Sequence, residues 1–270
     1  MSTLREQAAA AAAVCRRDFI LFASYRMRFV TTFVTTAVSL TLFYYISRLV
    51  HSPQIGTPDR YYAFVVVGIV ILAVLTSTLS VPVITLRQEL LAGTFERMVL
   101  SPFGPVRSIL ALMLFPVLLA LVTSAFALAF AAIAFGLVLQ WETVAIALPA
   151  AVLGAIAFAP FGLLMASGVI LFKQTNAGAT FVITGITLLA GLYFPVSLLP
   201  DWIGWASEVQ PFTPAVDVLR NLLVGTPLQD SVAGDLLKLV LFPAVLAPIA
   251  VRAIASAIRR GRRLGTIIEY

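Results

Sequence analysis

Residues able to do covalent or metal chemistry are sparse in this chain. One cysteine, Cys15, and one histidine, His51, stand among 270 residues, so neither an intrachain disulfide nor a soft-ligand metal centre is expected. Cys15 reads as a small half-buried side chain, and His51, beside Ser52 and Pro53, as part of a short polar loop. The acidic side chains are scattered along connections and do not converge as acid–base or metal-assisted catalysis requires. No G-x-x-x-x-G-K-[ST] stretch is present to cradle a nucleotide phosphate, so any nucleotide hydrolysis belongs to another polypeptide. The expectation is therefore no catalytic residue, no metal and no cofactor on this chain.

Two rows of hydroxyls do have useful spacing. Thr32, Thr36 and Ser39 recur at intervals of four and three, as do Thr180, Thr184 and Thr187, with Gly191 one turn further on. On a helix each set shares one face. Such rows either line a path with neutral polar points, which suits an amphiphilic molecule better than a free ion, or bond and pack membrane helices against one another.

The elements that must carry these rows are membrane helices. The chain is 61% hydrophobic and 11% charged, whereas a soluble domain is about half apolar and about a quarter charged. Runs of roughly 20 apolar residues suffice to cross a hydrocarbon layer as helix, where a helix satisfies its own backbone. Six spans are predicted, near 29–50, 61–84, 108–136, 144–172, 177–198 and 236–256. The fold class is thus all-α integral membrane. All Lys and Arg except Arg48, Arg60, Arg220 and Lys238 then fall on the side of the termini, which the positive-inside rule makes cytoplasmic. The net charge of +6 flanks spans and is not gathered on a soluble face, so nucleic acid is not an expected partner; membrane lipids are. Ion-coupled carriers place ionisable groups near the bilayer midplane, and the interiors of spans one to five contain none, while Lys238 and Arg252 in the sixth are near enough to its ends to snorkel, which disfavours the alternative of a secondary transporter or channel uncoupled from ATP.

Residues 1–28 form a separate lead-in. The alanine run Ala8–Ala13 favours helix, and the mixture of Arg17, Phe19, Phe22, Tyr25, Arg26 and Arg28 that follows suits the headgroup region. Arg16-Arg17-Asp18-Phe19-Ile20 has the look of a twin-arginine leader, but Arg26 and Arg28 interrupt the apolar stretch such a leader needs. The transmembrane domain is expected over 29–258, and 259–270 as a basic cytoplasmic tail.

The segment 86–102 predicts two short helices meeting at a bend. Gly93 is a natural helix stop, Thr94 a cap for the next helix, and Glu96 sits in its first turn; Ser101-Pro102 ends it. Phe95, Met98 and Val99 are expected to face something apolar, making a docking surface. The segment from Tyr193 to Gly225 is too long and too apolar for a simple connection. Asp201 is expected to cap a helix to about Val209 and Thr213 to cap another from Pro214, so that two short re-entrant outer helices fill 201–224, anchored by Trp202 and Trp205.

Two stretches resemble the permeases of type 2 ABC exporters, the class of daunorubicin-resistance-type drug pumps and polysaccharide exporters. One is Gly93-Thr94-Phe95-Glu96-Arg97-Met98-Val99-Leu100-Ser101-Pro102. The other is Tyr193-Phe194-Pro195-Val196-Ser197-Leu198-Leu199-Pro200-Asp201-Trp202, followed by Pro211-Phe212-Thr213-Pro214 and Leu219-Arg220. The resemblance implies a permease subunit in the bacterial inner membrane, paired with a second permease copy and two separate ATPase subunits that hold ATP and Mg. It makes Glu89, Thr94, Phe95, Glu96, Arg97 and Met98 the coupling helix that contacts the ATPase. It makes Phe194, Pro195, Pro200, Trp202 and Arg220 an outer gate.

Overall fold

A computed structural model describes residues 4–49, 57–172, 176–192, 200–226 and 231–264. The described residues form ten helices and no strand: α1 (Leu4–Ser24), α2 (Arg26–Leu49), α3 (Pro58–Leu91), α4 (Phe95–Leu100), α5 (Pro105–Phe135), α6 (Trp141–Phe172), α7 (Asn176–Leu189), α8 (Asp201–Val209), α9 (Phe212–Val224) and α10 (Val232–Leu264). Five of them, α2, α3, α5, α6 and α10, are long and apolar enough to cross a membrane, which makes this a multi-pass membrane protein.

Local chemistry sets where these helices begin and stop. The Thr57 hydroxyl accepts from the Arg60 amide at 3.4 Å, and Pro58 opens α3 with its φ already helical. Pro105 does the same for α5, which ends on left-handed Gly136. Between α1 and α2 only Tyr25 is non-helical, its amide donating to the Phe22 carbonyl at 3.2 Å while its own carbonyl accepts from Arg28.

The centre of the bundle is α3. Val65, Val66, Val67, Leu75 and Leu79 on it are fully buried, because α2, α5, α6, α7 and α9 all pack on it. Two glycines permit the closest approaches: a Cβ at Gly162 would stand 2.2 Å from the Thr78 carbonyl oxygen, and one at Gly68 2.2 Å from that of Leu192. Small residues at such crossings are how membrane helices come together without a hydrophobic driving force. Apolar side chains such as Val38, Tyr45, Ile133 and Val245 remain exposed and face the hydrocarbon.

Several expectations are revised. The fifth span, expected over 177–198, is helical to Leu189 among the described residues. Gly191 then turns the chain with φ +66, so α7 is about 21 Å long, against roughly 30 Å of hydrocarbon. Residues 259–264, within the expected basic tail, are helical and continue α10 without a break. Segment 86–91, expected as a separate short helix, is the end of α3. The short helices α8 and α9 are present as expected, but Thr213 does not cap α9, which starts at Phe212 with no side-chain cap. His51 lies outside the described residues.

Candidate coupling surface and opposite mouth

At one end of the bundle α3 turns into α4. Gly93 adopts φ +67, its amide donating to the Leu90 carbonyl at 3.1 Å and that of Thr94 to Glu89 at 3.0 Å. This closes α3 on a left-handed glycine. Thr94 makes no cap bond to α4, contrary to expectation. Its hydroxyl donates instead to the Glu89 carbonyl oxygen at 3.2 Å and to the Glu89 carboxylate. The same carboxylate accepts from Arg17 of α1 at 3.3 Å. Glu89 therefore belongs to the hinge of the bend and links it to α1. Glu89→Gln should weaken the pair with Arg17 by about 1 kcal/mol, as for a charged hydrogen bond at a partly exposed site. Hydrogen exchange at the Gly93 and Thr94 amides should rise by roughly fivefold, with exchange in the centre of α3 unchanged.

The expected apolar anchors point inward. Phe95 is 1% exposed, set among Leu86, Leu90, Ile109, Val169 and Ile254, with Met98 and Val99 packed on the same cluster. Exposed on the outer side are Glu96 and Arg97, as expected, together with Leu91 and Leu100, 57% and 72% exposed. Leu100 escaped the sequence reading because a six-residue helix has too few turns for periodicity to show which side is covered, and Leu91 because it is the last residue of α3, where the chain turns away at Gly93. The surface is thus a ridge with leucine at both ends and one acid and one base between them.

At the opposite end α9 runs antiparallel beside α6. Phe212 lies on Phe158 with ring centroids 4.4 Å apart; ten residues on, the Leu222 carbonyl accepts from the Thr143 hydroxyl, and Leu223 from the Gln140 amide at 2.9 Å. Arg220 is 4% exposed. Its Nη2 donates to the carbonyls of Gly191 and Leu192 at 2.8 and 3.0 Å, and its guanidinium lies over the Phe64 ring at 3.4 Å. One side chain of α9 thereby ties the end of α7 to α3. Of the other expected gate residues, Phe194 and Pro195 lie outside the described residues, while Pro200 is exposed and Trp202 is 75% exposed. Between α6, α9 and α10 is a cleft of about 270 Å³ lined by Ile146, Pro149, Leu153, Val218, Leu222 and Leu236, with Asn221 at its edge; such walls accept an alkyl group.

The hydroxyl rows stand on different helices flanking α3. Thr32 and Thr36 are half-buried and donate to the Arg28 and Thr32 carbonyls at 2.8 and 2.9 Å; Ser39 is half-buried on the same helix. Thr187 is buried and donates to Ile183 at 2.7 Å, while Thr180 and Thr184 are exposed. Within one chain α2 packs chiefly on α3 and α5, and α7 on α3 and α8, so the rows do not meet.

Residues 10–224, from within α1 to the end of α9, match the family model described as ABC-2 type transporter. The chain belongs to the ABC-2 type transporter family. Among individual relatives, a 91-residue stretch is 32% identical to Nodulation protein J of Rhizobium leguminosarum bv. trifolii, covering 34% of this chain and 35% of that protein. Nodulation protein J of Rhizobium meliloti (strain 1021) is 29% identical over 89 residues, 33% of this chain and 34% of the relative. The chain thus spans about a third of the length of the curated relatives it matches. The ABC-2 match takes in the bend at Gly93, the ridge on α4 and Arg220, whereas α10 lies beyond it.

Proposed function

We propose that this ABC-2 chain is the permease subunit of an ATP-driven exporter in the bacterial inner membrane, with both termini cytoplasmic, moving an amphiphilic drug, lipid or glycolipid/polysaccharide outward by alternating access. The observation that carries the proposal is the family match over 10–224 coinciding with a solvent-exposed ridge at α4. Two ATPase subunits, holding ATP and Mg, dock on that ridge through Leu91, Glu96, Arg97 and Leu100. Phe95, Met98, Thr94 and Glu89 hold it in shape from behind. Because α4 is wedged into the cluster that joins α3, α5, α6 and α10, a push on the ridge reaches all four helices at once.

A second permease copy, identical or related, completes the path. The largely exposed α2 and the exposed Thr180 and Thr184 of α7 are the faces available to it, and pairing α2 of one copy with α7 of the other brings the two hydroxyl rows opposite each other. The outer hairpin α8–α9, with Arg220 as its tie, closes the exit re-entrantly from the far side. Counting α7 with the five long helices gives six passes.

The test is reconstitution of the chain in liposomes with its cognate ABC ATPase. ATP hydrolysis is expected to need both proteins, and a cysteine pair at Thr36 and Thr184, in a Cys15→Ser background, to crosslink two copies. Hydrolysis by the pure chain alone, or wild-type ATPase association in Leu91→Asp with Leu100→Asp, would overturn the proposal.

A further inference from the structure

The arginines at the tip of α10 have no part in the docking described above, yet their chemistry is concentrated. The helix holds 33 residues, about 50 Å at 1.5 Å per residue, against a hydrocarbon layer of ~30 Å and a bilayer of ~40–45 Å with its headgroups. Its lipid-facing apolar residues, among them Val240, Val245, Ile249 and Val251, end at Arg252. Beyond that point Ile254, Ala257 and Ile258 are buried in the cluster that holds Phe95. Nη2 of Arg262 donates to the Val99 carbonyl of α4 at 3.4 Å. The last three turns of α10 thus stand beside the ridge and not among the spans.

On these turns Arg259, Arg260, Arg262 and Arg263 are all exposed while Ala257, Ile258 and Gly261 are buried. At 100° per residue the four arginines cover a face roughly 160° wide opposite the packed one. Among the described residues none of the four forms an ion pair; Asp18 and Glu89, acids at this end, are held by Arg17. Orienting a span needs charge only near its boundary, where Arg252 already stands. Arg262 lies about 15 Å further along the axis, past a headgroup layer roughly 5–8 Å deep. Its height favours a protein surface over lipid phosphates, and its charge selects an acidic one.

We propose that the arginine face at the tip of α10 is a second docking element beside α4, meeting an acidic surface of the ATPase that borders the site receiving the ridge. This rests on the reading that an ATPase docks on α4. Opposite potentials across such a rim steer encounter and fix orientation, with a strong dependence on salt.

The test uses this chain in nanodiscs and, as probe, its purified cognate ABC ATPase. Replacing Arg259, Arg260 and Arg263 by Gln, with Arg262 kept because it bonds the Val99 carbonyl, should weaken binding at least tenfold at ~0.1 M salt and flatten its salt dependence, while replacement by Lys retains most of the affinity. The single variant Arg260→Glu, at an exposed position, should weaken binding several-fold with unchanged thermal stability. Leu100→Asp separates the two ideas. If Leu100→Asp abolishes binding while the Gln variant binds as wild type, the ridge stands and the arginine face is refuted. If the wild-type chain binds no ATPase, both fall. If the Gln variant loses binding only in discs containing phosphatidylglycerol and not in neutral phosphatidylcholine, the arginines read headgroups and the proposal is wrong.

Discussion

Phe95→Ala is expected to detach α4 from the bundle before any span unfolds. The ring is 1% exposed and wedged between the ends of α3, α5, α6 and α10, and emptying such a site costs about 3–5 kcal/mol. α4 has only six residues, far too few to persist alone, so its helical state depends on Phe95, on its partners Met98 and Val99, and on the Arg262 bond to the Val99 carbonyl. Hydrogen exchange of the amides from Phe95 to Leu100 should rise by two orders of magnitude or more, and ATPase docking should fail as a consequence. Phe95→Leu keeps most of the volume and should keep α4 folded. Leu100→Ala removes an exposed side chain and should leave exchange at its wild-type level, so any loss of docking there reports a contact and not a fold. Wild-type exchange across α4 in Phe95→Ala would show that the wedge is not what holds it.

Arg220→Leu should loosen the opposite mouth. The substitution leaves the carbonyls of Gly191 and Leu192 without the donor they share, each orphaned buried group costing about 1–3 kcal/mol, and removes a close guanidinium–aromatic contact with Phe64 worth up to ~2 kcal/mol when desolvated. Lysine does not rescue it, since an ammonium on a flexible stem lacks the planar face that stacks on the ring. The readout is Val216→Cys, at a position fully buried on α9, in a Cys15→Ser background. With Arg220 intact the introduced thiol should resist an impermeant thiol reagent, and with Arg220→Leu it should react while helical content by circular dichroism is retained. A thiol that stays inert with either residue at position 220, with an unchanged melting temperature, would mean that α9 is held by its packing on α6 alone.

These two residues also mark where sequence reasoning succeeded and where it stopped. Composition alone required membrane helices, because so much apolar surface with so little charge has only lipid to face. The turn residues placed the bend at Gly93, the end of α9 at Gly225 and the start of α8 after Pro200, since left-handed glycines and prolines act locally, within one or two residues. The motifs at Gly93–Pro102 and Tyr193–Trp202 pointed to the family that the match over 10–224 establishes. What no local rule reaches is the direction a side chain faces once helices distant in sequence arrive beside it. Phe95 reads as a docking anchor until Ile109 and Ile254 surround it. Arg220 reads as one member of a gate until the carbonyls of Gly191 and Leu192 claim its guanidinium, and those contacts, like the close approach of Gly68 to Leu192, exist only where α3, α7 and α9 converge. In hydrocarbon every face of a span is apolar, so the pattern that marks the buried side of a soluble helix is nearly erased, and packing alone decides which faces meet.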